Sequence, residues 1–227
     1  MCADSNQVLK IYIFGDSIAF GQHIPVHETW VVKVSQGLNN TYRPRGVQLL
    51  FQNPSICGNT THQALDRMNY DVIQHRPEIL VIQFGLNDCN YWLTDNGVPR
   101  VSPLSFAANI QEMVIRGKNA GIKQIIVNTN HPTTRINQIL PKKHITYQMS
   151  NSQYNQIIRD TVKTIDDDSV HLNDIEMKIE ELLSKKKTSV RDIVLPEPDQ
   201  LHLSLTGHML YDQIMKEELI KVINIVI

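Results

Sequence analysis

Four short stretches of the chain carry residue types that could do acyl chemistry together. Ser17 follows the apolar, β-branched run Ile11-Tyr12-Ile13-Phe14, which breaks at Gly15-Asp16. A hydroxyl there stands at the carboxyl end of a buried strand, with its own N–H in the first turn of the next helix. First-turn N–H groups are unpaired and the helix dipole favours negative charge, which suits a nucleophile whose product is an oxyanion. Gly-Asp-Ser alone is a weak signal that reads more readily as a helix cap, because Asp and Ser are favoured N-caps, so its partners decide. Asp199 and His202 stand in a proline-containing loop before the last apolar segment. Their spacing lets the carboxylate reach the imidazole Nδ1–H while Nε2 faces outward, which is what a serine needs from a general base. Asn87, in Gly85-Leu86-Asn87-Asp88, offers a side-chain N–H, and Gly58 offers a backbone N–H with no Cβ to obstruct a substrate. The chemistry these residues fit is acyl transfer. Ser17 attacks, His202 takes its proton, Asp199 orients the ring, and Ser17, Gly58 and Asn87 hold the oxyanion.

Those residues must be positioned by elements that the hydrophobic pattern reveals. Val8 to Phe14, Gly46 to Gln52, Glu78 to Phe84, Ile122 to Asn128 and Ser169 to Leu172 read as strands. Between and after them lie helical patterns over Glu28–Leu38, Thr60 or Thr61 to about Met68, Ser102-Pro103 to Ala120-Gly121, Thr146–Ile165, a segment opening at Asp174, and a final helix capped by Thr206. Thr129–Pro141 is polar and irregular, and Val190–Asp199 is loop-like. Strands alternating with helices predict an α/β fold with a five-stranded parallel sheet in the flavodoxin-like order 2-1-3-4-5. In that order the switch point lies between strands one and three, whose ends carry Ser17 and Asn87, and Gly58 follows strand two. The topology and the chemistry point to one crevice.

Composition removes other readings. The chain has 227 residues, of which 41% are hydrophobic and 20% charged, enough for one sizeable core and best read as a single domain over 1–227. A net charge of −1 gives no field for nucleic acid or an anionic membrane. Cys2, Cys57 and Cys89 are too scattered for a disulfide framework or a zinc site. No secretory leader is visible at the N-terminus and no apolar run approaches a membrane span, so a cytoplasmic location is expected. Lys185-Lys186-Lys187 reads as a solvated helix end.

On these residues the chain resembles the SGNH subgroup of the GDSL esterase/lipase superfamily. Gly15-Asp16-Ser17, Gly58, Gly85-Leu86-Asn87-Asp88 and Asp199 to His202 match its four blocks in order, with Ile18 where the family usually has Leu. The resemblance implies a three-layer α/β/α sandwich and an esterase that needs no metal or organic cofactor. The expected substrate is a small ester such as an O-acetylated carbohydrate. A lipase or acyl-thioester hydrolase with a longer acyl pocket is the alternative enzyme, and a catalytically silent glycan- or protein-binding module is the alternative from another class. Tyr91 and Trp92 directly follow the Asn87 block and could stack on a sugar ring or line an acyl pocket. His131 and Arg135 lie after strand four and could face substrate, although loop polarity explains them equally well. His208 falls in the last helix and reads as structural; Cys57 and Cys89 read as small hydrophobes.

Overall fold

The computed structural model of the chain describes residues 7–186 and 188–227. Cys2, the N-terminal stretch read for a leader and Lys187 lie outside the described residues. Five strands, β1 (Gln7–Gly15), β2 (Val47–Gln52), β3 (Ile79–Gln83), β4 (Gln124–Asn128) and β5 (Val170–Asn173), form one parallel sheet in the order β2-β1-β3-β4-β5. This is the order the alternation of elements predicts. Every residue of β3 and β4 is buried, as expected of central strands covered on both faces. The edge strand β2 instead alternates, with Val47 and Leu49 inward and Gln48 and Leu50 outward.

The helices are α1 (Ser17–Phe20), α2 (Trp30–Tyr42), α3 (Thr61–Asp71), α4 (Pro103–Asn119), α5 (Tyr147–Ile165), α6 (Ile175–Lys186), α7 (Val190–Ile193) and α8 (Leu205–Val226). One outer layer is built of α3, α4 and α5; α2 and α6 pack with α8 in the other. Caps fix where several begin. Thr60 and Gln63 form a capping box on α3, Ser102 caps α4 ahead of Pro103, and Thr146 caps α5.

Three boundaries differ from the sequence expectation. Helix α2 runs past Gly37 and Asn39-Asn40 to Tyr42, because Leu38 and Tyr42 are core residues. Asn39 is no terminator. Its side chain donates to the Leu49 carbonyl (2.9 Å) and accepts from the Leu49 N–H (3.0 Å), tying α2 to the sheet edge. The stretch after Thr188 contains α7, capped by Ser189. Helix α8 is capped by Ser204 rather than Thr206, and Ser204 Oγ also donates to the Asp192 carbonyl at 2.6 Å. Gly207 permits that junction, since a Cβ there would sit 2.1 Å from the Ile193 carbonyl oxygen.

At the carboxyl edge the interior changes character. Asn128 Nδ2 donates to Gln83 Oε1 (2.8 Å), Asn173 Nδ2 to Asn128 Oδ1 (2.8 Å) and Gln83 Nε2 to Asn130 Oδ1 (3.1 Å), all buried. A partnered polar network is stiff, because breaking any one bond strands a buried group. No helix among the described residues is long and apolar enough to cross a membrane.

Candidate active site

Ser17 opens α1 directly beyond β1. Asp16 caps this helix, its Oδ1 accepting the Ile18 N–H at 3.0 Å, and Gly21 ends it in the left-handed region. The Ser17 side chain therefore leaves the sheet at a sharp corner and meets the loop that precedes α8. Its Oγ lies 3.0 Å from His202 Nε2, and His202 Nδ1 lies 2.7 Å from Asp199 Oδ2. The other carboxylate oxygen, Oδ1, accepts the backbone N–H groups of Leu201 (2.9 Å) and His202 (2.6 Å). Asp199 thus closes a turn on itself and cannot swing away from the ring it faces. Burial alone would raise its carboxyl, but the bonds from the His202 side chain and the two backbone N–H groups outweigh it and hold the pKa below the usual value. A carboxylate at Nδ1 keeps the proton there and leaves Nε2 as the acceptor facing Ser17.

Across the switch point stand Asn87 and Gly58, the residues expected to act as donors. Asn87 follows β3, and its Nδ2 contacts Asp16 Oδ2 at 3.2 Å and the Asn59 carbonyl at 3.1 Å. Gly58 lies in the exposed loop after β2 with φ of +77°, a conformation that L side chains rarely adopt. The Ser17 and Gly58 N–H groups find no hydrogen-bond acceptor among the described residues. Behind them two carboxyl groups are buried. Desolvation raises Asp16 to about 7, with the Asp88 charge adding to the rise, and desolvation raises Asp88 to about 6. Asp88 Oδ1 accepts from the Thr61 N–H (2.8 Å) and the Thr61 hydroxyl (2.5 Å), while its Oδ2 has no partner among the described residues.

The remaining sequence candidates fall into two groups. Trp92 is 51% exposed and Tyr91 half-buried, both beside the Asn87 segment. Trp92 lines a cavity of about 680 Å³ with Thr60, His62, Gln63, Arg100 and Ser102. His131 and Arg135 do something else. His131 has no exposed surface, so a substrate-facing role is corrected: the ring sits behind the His202 loop, 2.8 Å from the Leu201 carbonyl and 3.0 Å from the Tyr211 hydroxyl. With a carbonyl at Nε2, that nitrogen carries the proton and Nδ1 accepts from Tyr211. Burial drives its pKa down to about 4, which keeps the ring neutral. Arg135 donates through Nε (2.9 Å) and Nη2 (2.7 Å) to the Asp199 carbonyl, bracing the same loop from outside. His208 accepts the Trp30 N–H at 3.1 Å inside the core, a structural place. Cys89 is buried, whereas Cys57 is exposed.

Three side chains near the site carry no sequence signal. His23 stacks edge-on against His202, ring centroids 5.1 Å apart, with its Nε2 3.9 Å from Asp199 Oδ2. His23, Asp199 and His202 bring metal-ligand atoms within 4.8 Å of one another, but two of the three are already bonded to each other. Arg67, from α3, reaches the Pro54 carbonyl (2.5 Å), Asn59 Oδ1 (2.7 Å) and the Gly15 carbonyl (3.2 Å), tying the Gly58 loop to the end of β1. Arg100 reaches Asn87 Oδ1 (3.3 Å) and the Gly58 carbonyl (3.1 Å). Each arginine comes from a segment without a motif, so only its three-dimensional neighbours reveal it.

The model of the GDSL-like Lipase/Acylhydrolase family matches residues 13–210, from β1 through the start of α8. The chain belongs to this family. The family is one of lipases and acylhydrolases. An arylesterase from Vibrio mimicus is 25% identical over 132 residues, covering 58% of this chain and 60% of the arylesterase, so the match spans less than two thirds of that relative. Among solved structures, an acetylxylan esterase from Geobacillus stearothermophilus superposes with a TM-score of 0.72 at 21% identity, covering 95% of this chain and 96% of that one. A lipase/acylhydrolase from Enterococcus faecalis gives 0.70 at 21% identity, covering 92% and 94%. At such identities the likeness shows the fold.

Proposed function

We propose that this GDSL-family chain hydrolyses small carboxylic esters, such as acetyl groups on a carbohydrate, through a covalent acyl-enzyme formed on Ser17. The observation that carries the reading is the unbroken line from Ser17 Oγ to His202 Nε2 (3.0 Å) and from His202 Nδ1 to Asp199 Oδ2 (2.7 Å). His202 removes the Ser17 proton as Oγ attacks the ester carbonyl. The carbonyl oxygen becomes an oxyanion held by the N–H groups of Ser17 and Gly58 and by Asn87 Nδ2. Collapse of the tetrahedral adduct expels the alcohol, which takes the proton from His202. Water, deprotonated by the same ring, then attacks the acyl-Ser17 carbonyl and releases the acid. Asn87 Nδ2 already contacts two acceptors, both beyond 3.0 Å. One of those long bonds is shared with the oxyanion as charge develops, which is where an N–H donor is worth most.

The preference for an acetylated carbohydrate rests on two supports. The cavity that Arg100 lines offers Thr60, His62, Gln63, Asp95, Ser102 and Ser105 as polar groups beside the Trp92 indole and the apolar Val98, Pro99 and Val101, a mixed surface that can bond sugar hydroxyls and stack a ring. The fold is also shared with acetylxylan esterases. Turnover of nitrophenyl esters from acetate to decanoate, beside acetylated xylo-oligosaccharides, tests the substrate. Rates highest for acetate and for the acetylated sugars support this reading; a maximum at medium or long chains would replace it with a lipase-type activity. Fluorophosphonate labelling tests the nucleophile. An adduct on Ser17 is expected, and a folded protein that takes no label would be a binding module.

A further inference from the structure

We propose that Arg100 is a positioning residue of the oxyanion hole, its guanidinium spanning Asn87 and Gly58 and holding both donors toward one point. The inference rests on the oxyanion assignment above and adds a residue to it.

Gly58 needs such a tether. It is exposed, its backbone is left-handed, and a Cβ built on it would meet no atom within 4 Å, so packing does not fix it. Its carbonyl is held by Arg100 Nη2 at 3.1 Å, which fixes the peptide that follows the proposed Gly58 N–H donor. Asn87 is held at its other end. Arg100 Nη1 donates to Asn87 Oδ1 at 3.3 Å. A guanidinium is a donor only, so it donates to the oxygen end of the amide and cannot bond the NH₂ end. The amide therefore lies with Nδ2 toward Asp16 and the Asn59 carbonyl, and the guanidinium charge beside Oδ1 draws electron density away from that N–H.

Arg100 is itself braced. Its guanidinium lies over the Trp92 indole, 4.3 Å from the ring centroid, its N–H donates to the Asn90 carbonyl (2.9 Å), and the next N–H, on Val101, donates to the Asp88 carbonyl (3.2 Å). A planar fork reaching two acceptors from one stacked plane is something a lysine ammonium cannot reproduce. Arg67 is the contrast: its bonds hold the loop to the sheet, whereas those of Arg100 join the two donors to each other.

The test is kinetics of Arg100→Ala and Arg100→Lys on nitrophenyl acetate, each alone and in the Asn87→Ala background, with melting temperatures alongside. Misplacing a donor by a fraction of an ångström costs catalysis rather than binding. We expect kcat for Arg100→Ala to fall by about 10- to 100-fold with KM within about threefold and the melting temperature nearly unchanged. Arg100→Lys should recover only a small part. In the Asn87→Ala background the further loss should shrink to about threefold or less, because two residues acting through one contact are not additive. A rise in KM with kcat intact would make Arg100 a substrate contact, and an equal loss in both backgrounds would show that it does not act through Asn87; either overturns the proposal. Should Arg100→Ala fail to fold, Arg100→Lys carries the same criteria. If Asn87→Ala leaves kcat intact, the oxyanion reading itself has failed; if Asn87→Ala is slow and both Arg100 variants are fast, only this inference has.

Discussion

The two sides of the crevice are built on different principles. On the acid–base side, Asp199 and His202 lie in one turn, and Asp199 binds the side chain and the backbone N–H of the residue it orients. On the proposed oxyanion side, Gly58 and Asn87 come from separate loops and are held by groups that reach in from elsewhere: Arg100 from the segment before α4 bonds both, Asp16 from the end of β1 bonds Asn87, and Arg67 from α3 ties the Gly58 loop to the sheet. Local geometry makes the first side self-contained. Long-range hydrogen bonds make the second depend on the whole sheet edge. The carboxyl groups reflect this: Asp199 is held ionised by its bonds, while Asp16 and Asp88 are buried with desolvation dominant and lie well above the usual range.

The largest effect belongs to the acid–base side. Ser17→Ala and His202→Ala should each lower kcat by about four or more powers of ten, and the double variant should lose little more, because the pair acts as one unit. Melting temperatures should barely move, since Ser17 Oγ bonds only to His202 among the described residues. Steady-state kinetics on nitrophenyl acetate decides it; a double variant far slower than either single one would mean the two do not act together.

The oxyanion side should fail more softly. Asn87→Ala should lower kcat about 10²–10³-fold with little change in KM, the signature of a contact made mainly in the transition state. Asn87→Asp should be worse, because a carboxylate would face the developing charge. A KM effect instead would turn Asn87 into a substrate-positioning residue and leave the hole to the two backbone N–H groups. Arg135→Ala, which removes two bonds to the Asp199 carbonyl but leaves the Asp199–His202 turn closed, should cost about tenfold or less in kcat. A loss as large as that of His202→Ala would show that the acid–base side is not self-contained.

The same contrast explains what the sequence reveals. The strands read as apolar or alternating runs rich in β-branched residues, and their order follows from alternation with helices, so the sheet and the corner at Ser17 are legible. So is the Asp199–His202 turn, because its geometry is encoded in a short spacing. Arg67 and Arg100 are not legible, since nothing in a sequence says which surface arginine will find two backbone or amide oxygens across a crevice. His131 misleads for a related reason. Thr129–Pro141 reads as polar and hence exposed, yet Thr129, Asn130, His131 and Thr133 are buried, each bonded to a partner distant in sequence. A polar loop under the carboxyl edge of a sheet is interior whenever other elements supply its hydrogen bonds.

The smallest expected effect is the one that separates the two sides by sign. Asp199 has a folded pKa below its unfolded value, so the stability it contributes is fully present above the unfolded value and is lost as pH falls through the folded one. Asp88, raised to about 6 by burial, works the other way. Between about pH 4 and 6 the folded chain keeps a proton there that the unfolded chain has released, so folding loses stability as pH rises across that window. Each such proton contributes a slope of up to about 1.4 kcal/mol per pH unit. An amide cannot titrate, so substitution removes the slope. Relative to the parent, Asp88→Asn should gain stability as pH rises from 4 to 7, whereas Asp199→Asn should lose stability as pH rises from below 4 and then level off. Asp16→Asn should share the sign of Asp88→Asn, since desolvation raises that carboxyl to about 7. Urea unfolding of the three variants and the parent at four or five pH values reads the slopes directly. Parallel curves for Asp88→Asn and Asp199→Asn would mean that the oxyanion-side carboxyls are solvated after all, and the division between a self-contained side and a desolvated, long-range one would fall with them.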